Sequence, residues 1–276
     1  METLESRYRT RWTRAQERAV APDAGPPEAV VAVFAELRDR DGVATWDDVM
    51  ERWDALGLEG RQRVLRGLGV AEERRAVEHV IRVFEGDPAL LEEAAEALWM
   101  MGGPRAYAFL CSQVEHGLAS AGSPTPAWTH AFFALTSIGE DDEQALALFE
   151  RIASDPAIAP GFRARALEQI GVRLDPSDGE HVPLTQRCVD TVLNCLDDPE
   201  PEVRFWALYA VGVLPLRAAL AKVRTMVSDP GVVPDMWSVG LEAQDVVQAL
   251  TRGTWPFREP GSGRVFPDEP PPATPA

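Results

Sequence analysis

Two dipeptides bring a carboxylate and an imidazole together at a regular interval. Glu78-His79 and Glu115-His116 stand 37 residues apart, and Glu180-His181 is a further copy out of register. Carboxylate oxygens and imidazole nitrogens bind transition metals, so two such pairs on neighbouring helices could converge on one ion. A full site needs more equivalents than the sequence holds, and a polar outer face or a helix end is the ordinary reading. Asp39-Arg40-Asp41-Gly42 starts like a calcium loop but lacks the later oxygen ligands and the closing glutamate. His130 follows Trp128 with no evident partner. No Ser-His-Asp order, glycine-rich phosphate loop, zinc-type pair or nucleophile elbow occurs. Cys111, Cys188 and Cys195 make an odd count without metal-type spacing. Cys188 and Cys195 are seven apart, which puts them on one helical face as packed, reduced thiols. Catalytic, cofactor-binding and metal residues are therefore expected to be absent, and the chain is expected not to be an enzyme.

The residues better suited to recognition are arginines and aromatics. Arg163 and Arg204 occupy equivalent places in two similar stretches, and Trp206 and Tyr209 lie three apart beside Arg204. Exposed on one face, these four form an aromatic and arginine anchor of the kind enriched where proteins meet. Acids cluster at Glu92-Glu93-Glu96, at Glu140-Asp141-Asp142-Glu143, and at Asp197-Asp198 with Glu200 and Glu202. Helix starts favour negative charge, and an acidic rim would suit a partner with a basic patch. The whole chain carries 44 acids against 27 bases, a net charge of −17. Nucleic acid and anionic membranes call for the opposite sign, so both are disfavoured as partners. Met1–Ala19 is charged throughout, and no run approaches the length of a membrane span, so a cytoplasmic protein is expected.

These residues are positioned by a recurring phrase, Ala-Leu-x-x-(Met, Ile or Val)-Gly. It begins at Ala97, Ala134, Ala166 and Ala207, at intervals of 37, 32 and 41 residues. Periods of that size mark a repeat array. Ala and Leu favour helix, and glycine sits where helices commonly stop. Asp87-Pro88, Thr125-Pro126, Asp155-Pro156 and Asp198-Pro199 supply a cap and a proline for each helix start. Each unit is thus a capped helix, a glycine stop, then a second amphipathic helix. The second helices are predicted over 104–117, 141–154, 183–196 and 216–228. Leu58–Gly69 and Ala71–Phe84 form an earlier pair in which the phrase has decayed, and a last, less regular helix spans 236–251. Upstream, residues 1–20 form a helical arm with five arginines, and residues 27–56 a capping helix pair. The array runs over 57–253, and the proline-rich stretch 254–276 is expected to be disordered.

Asp198-Pro199-x-x-x-Val203-Arg204-x-x-Ala207-x-x-x-Val211-Gly212 resembles a HEAT repeat, of the kind grouped with bacterial HEAT-like and phycobilin-lyase-type families. Phe162-Arg163-x-x-Ala166-x-x-x-Ile170-Gly171 is similar, whereas Ala94 and Ala131 replace the arginine in the two earlier copies. The resemblance implies an all-α, right-handed α-solenoid of five to six helix pairs whose second helices line a concave partner-binding face. It also implies the expected function, a non-enzymatic scaffold or adaptor that binds another protein. Three alternatives come with the same resemblance. One is a metal-dependent hydroxylase like deoxyhypusine hydroxylase, which uses His-Glu pairs in the reverse order. Another is an alkylpurine-type DNA glycosylase, which needs a basic groove. The third is a lyase- or chaperone-like subunit that holds a chromophore-bearing protein.

Overall fold

A computed structural model describes residues 53–70, 72–119, 124–137, 143–174, 184–234 and 236–253. The predicted arm at 1–20, most of the pair at 27–56, the Glu140–Asp142 acids, Glu180-His181 and the stretch 254–276 lie outside them. The fold is all-α. Among the described residues there are eleven α-helices. They are α1 (Leu58–Val70), α2 (Val77–Gly86), α3 (Leu91–Met101), α4 (Gly103–Ala119), α5 (Pro126–Ser137) and α6 (Glu143–Ser154). The rest are α7 (Pro160–Arg173), α8 (Gln186–Cys195), α9 (Pro201–Val213), α10 (Leu220–Met226) and α11 (Val239–Arg252). The β-structure among the described residues is one isolated bridge, Val232 to Ser238.

The chain divides into two compact units, Met1–Gly139 and Glu140–Ala276. In the first, α1, α3 and α5 stack side by side, with α2 and α4 packed against them. In the second, α7, α9 and α11 form the tighter layer, and α6, α8 and α10 cover it. The phrase helices α3, α5, α7 and α9 all belong to these first layers. Their alanines and leucines are buried: Ala97, Leu98, Leu135, Ala166, Leu167, Ala207 and Leu208. Small alanine at the recurring position lets two backbones approach, and leucine fills the space beside them.

The glycines differ from expectation in an informative way. Gly102 does stop α3, in a left-handed-side conformation with φ +56°. Gly171 and Gly212 instead lie inside α7 and α9, whose helices continue past them. At Gly171 the reason is the neighbouring helix. A Cβ there would stand 2.9 Å from the Tyr209 ring and 3.4 Å from the Ala210 Cα. Gly69, inside α1, meets the Ala97 Cα of α3 in the same fashion at 3.0 Å. Gly69 and Gly171 are notches for a crossing helix, and Gly139 lies outside the described residues.

The helix starts also differ. Thr125 caps α5 as read from sequence, its hydroxyl accepting from the Trp128 amide at 3.2 Å. Asp87 caps the short 3-10 turn Pro88–Leu90 that leads into α3, with Pro88 at its first position as read from sequence, whereas Asp155 and Asp198 close a turn before the helix. Asp87, Asp155 and Asp198 accept from the amides of Ala89, Ala157 and Glu200, each two residues on, at 3.1, 2.9 and 3.0 Å. Asp229 does the same with Gly231 at 2.8 Å. Asp side chains readily close such turns. Thr185 and Ser238 cap α8 and α11, each worth about 1 kcal/mol.

Candidate functional site

The four recognition residues sit on α7 and α9 in the second unit. Arg163 is in the first turn of α7, and its guanidinium is buried. Its Nε donates to the Ala153 carbonyl at the end of α6 at 3.2 Å, and its Nη2 pairs with Asp198. Arg204, one helix on, donates from Nε and Nη2 to both Asp229 oxygens at 2.8 and 3.0 Å. Its Nη1 reaches the carbonyls of Asp198 and Pro199 at 2.8 and 2.9 Å. Asp198 therefore links two joints, its carboxylate to Arg163 and its carbonyl to Arg204. The bidentate pair is the stronger form of charge-assisted hydrogen bond. The Arg204 hydrogen bond holds the Asp229 carboxyl below its ordinary pKa against the opposing effect of burial, and the Gly231 amide adds to it.

Burial removes Arg163 from any surface on which it could anchor a partner, and Arg204 is engaged within the array as well. Each arginine of one helix pair is consumed by the aspartate that opens the next, and Arg163 has no surface left to offer. The expectation that second helices carry the recognition residues also changes, since Arg163, Arg204, Trp206 and Tyr209 all lie in the first layer.

Trp206 and Tyr209 are different. Both are half-buried on α9, their rings edge-to-face with centroids 5.4 Å apart. Phe205, fully enclosed, supports Trp206 from below with centroids 5.5 Å apart. Tyr209 lies over the Gly171 notch, and the next residue, Val172, is 43% exposed. Arg165 and Glu168 of α7 form a further pair at 2.5 Å. Read as a helix end, Gly171 hides Val172, which lies one residue further along the continuing helix. The helical spacing of Arg165, Glu168 and Val172 was the available signal. In the first unit Phe133 is 48% exposed at the place corresponding to Trp206.

The metal-type residues are arranged otherwise. Glu78 of α2 pairs with Arg105 of α4, at 2.5 and 3.0 Å. His79 turns inward and packs edge-on against Trp53, with centroids 4.6 Å apart. Burial pushes its imidazole from the ordinary 6.5 down to about 4, with Arg82 adding to the effect. Glu115 and His116 follow on α4. Among the described residues no group of three or more His, Cys, Asp and Glu could hold a metal ion. All three cysteines are buried. Burial raises the Cys188 thiol to about 12 and the Cys195 thiol to about 11. None of the described helices is long and apolar enough to cross a membrane.

No model of a known protein family matches the chain, and no curated protein matches it. Among solved structures, the complex of CpcE and CpcF of phycocyanin lyase from Nostoc sp. PCC7120 is similar to it. The identity is 19%, the match covers 89% of each chain, and the TM-score is 0.35. A superposition that loose leaves fold and function to be argued from the chain's own packing. One expectation is nevertheless corrected. The chain was expected not to be an enzyme, yet the matched structure is a lyase complex, so the exclusion of enzymatic activity does not stand.

Proposed function

We propose that this chain is a protein-binding subunit of the lyase- or chaperone-like kind, holding another protein against the first layer of its second unit. The observation that carries the reading is the Trp206–Tyr209 pair, two large rings held half-open on a rigid helix. Aromatic side chains fixed by a packed scaffold lose little entropy on binding and dominate interface energetics. Val172, exposed on α7 next to the Gly171 notch that Tyr209 covers, would extend the apolar centre, and the Arg165–Glu168 pair on the same helix would supply a polar margin. The likeness to a two-protein lyase complex agrees with a chain that works with a protein partner. The HEAT-like resemblance of the Asp198–Gly212 stretch agrees with stacked helix pairs presenting such a face.

The test is affinity capture from the native host with the wild-type chain and with the double variant Trp206→Ala, Tyr209→Ala. Loss of two anchors should lower partner recovery at least about tenfold, with far-UV helicity unchanged. Visible absorbance in the captured complex would identify a chromophore-bearing partner. A partner retained in full by the double variant would sink the reading.

A further inference from the structure

A cleft of about 350 Å³ opens between α6, the end of α7 and the start of α8, and neither Trp206 nor Tyr209 lines it. Its size falls at the lower end of ordinary small-molecule sites. Leu146 and Ala147 of α6, Leu174 after α7 and Cys188 of α8 give it an apolar wall. The Glu150 side chain also lines it and is only 8% exposed. A carboxylate so enclosed needs a cation or several donors. What it has is modest. The Thr185 hydroxyl stands 3.4 Å from Oε1, and the Arg187 Nε stands 3.0 Å from Oε2.

The imbalance between the two ionic partners is the informative feature. The Glu150 side chain is shut in at 8% exposure, whereas that of Arg187 is 66% exposed. The carboxylate is fixed in the wall, while its counter-ion is a long side chain lying mostly in water. Arg187 is already mostly in water and loses little by swinging outward, so the cost falls on the enclosed carboxylate, which is met only when another cation takes the guanidinium's place. The carboxylate it leaves behind then becomes a negative site beside an apolar wall. Glu143 adds a second carboxylate to the lining, so negative groups outnumber the one guanidinium.

We infer that this cleft binds an organic cation with an apolar stem, whose ammonium or guanidinium displaces Arg187 from Glu150. The stem lies along Leu146, Ala147 and Leu174. Such a group belongs to free aliphatic amines and also to lysine and arginine side chains presented by another protein. Arg187 is then an internal competitor that neutralises the site when it is empty.

Calorimetric titration of the full chain with hexylamine tests this, with hexanol and hexanoate as uncharged and anionic controls. Hexylamine should bind saturably at millimolar concentrations or below, and hexanol and hexanoate at least about tenfold more weakly. Glu150→Gln should abolish the preference for the amine. Arg187→Ala should tighten hexylamine binding several-fold, which no loss of folding can imitate. Titration with N-acetyl-lysine amide separates the two sources. Binding comparable to hexylamine points to a presented side chain, and much weaker binding points to a free amine. Hexanol binding as well as hexylamine, hexanoate binding better, weaker hexylamine binding in Arg187→Ala, or no saturable hexylamine binding would each overturn the inference.

Discussion

His79 shows how one position can carry a catalytic suggestion in sequence and a packing role in the folded chain. Its neighbour Glu78 is spent on Arg105, and the imidazole lies edge-on to Trp53 in the interior. Spacing alone could not separate these outcomes, because the 37-residue interval only says that His79 and His116 occupy equivalent turns. The burial has a consequence for stability. The unfolded imidazole titrates near 6.5 and the folded one at about 4. Between those values the unfolded state binds the extra proton, so stability is full above about 6.5 and falls as the pH drops toward 4. The slope between about pH 6.5 and 5, where few carboxylates titrate, should flatten in His79→Phe. Urea midpoints measured across that range check it, and equal slopes in both proteins would contradict the assignment.

At the scale of elements, helix identity and order were legible from the repeated phrase. The predicted second helix at 104–117 is α4, Gly103–Ala119, and the predicted last helix at 236–251 is α11, Val239–Arg252. What sequence could not distinguish was a glycine that ends a helix from one that admits a neighbour. Gly102 needs a positive φ, whereas Gly171 needs room, and both read as Ala-Leu-x-x-x-Gly. Gly117 of α4 is another of the second kind. A Cβ there would fall 1.9 Å from Cδ1 of Trp128, which is buried and stacked on Phe132. Replacing a helical glycine by alanine ordinarily gains close to 1 kcal/mol. Here the clash wins, because the indole is locked by its Nε1 hydrogen bond to the Val114 carbonyl at 3.1 Å. Gly117→Ala should therefore destabilise the chain by about 1–3 kcal/mol, read as a lowered thermal midpoint. An unchanged or raised midpoint would show that the indole moves freely.

Over the whole molecule, charge and joint chemistry were readable to different degrees. The excess of 44 acids over 27 bases is plain in the sequence. Its consequence is that duplex DNA should fail to shift the chain in a gel at about 0.15 M salt, since binding there depends on releasing counter-ions with basic groups. A salt-sensitive shift would revive the glycosylase alternative. The joints were less legible, because the repeat shows where Arg163 and Arg204 recur and not what faces them. Their partners, Asp198 and Asp229, open the following turns. That arrangement has an evolutionary corollary. Because the stretch from Asp198 to Arg204 receives a donor from Arg163 and passes one on to Asp229, that period can be duplicated without leaving an orphaned charge, whereas Ala94 and Ala131 offer no such joint in the earlier copies. Gene-level slippage at that period would restore the same joint at the seam, so layers of this kind can be added while the chemistry between them stays constant.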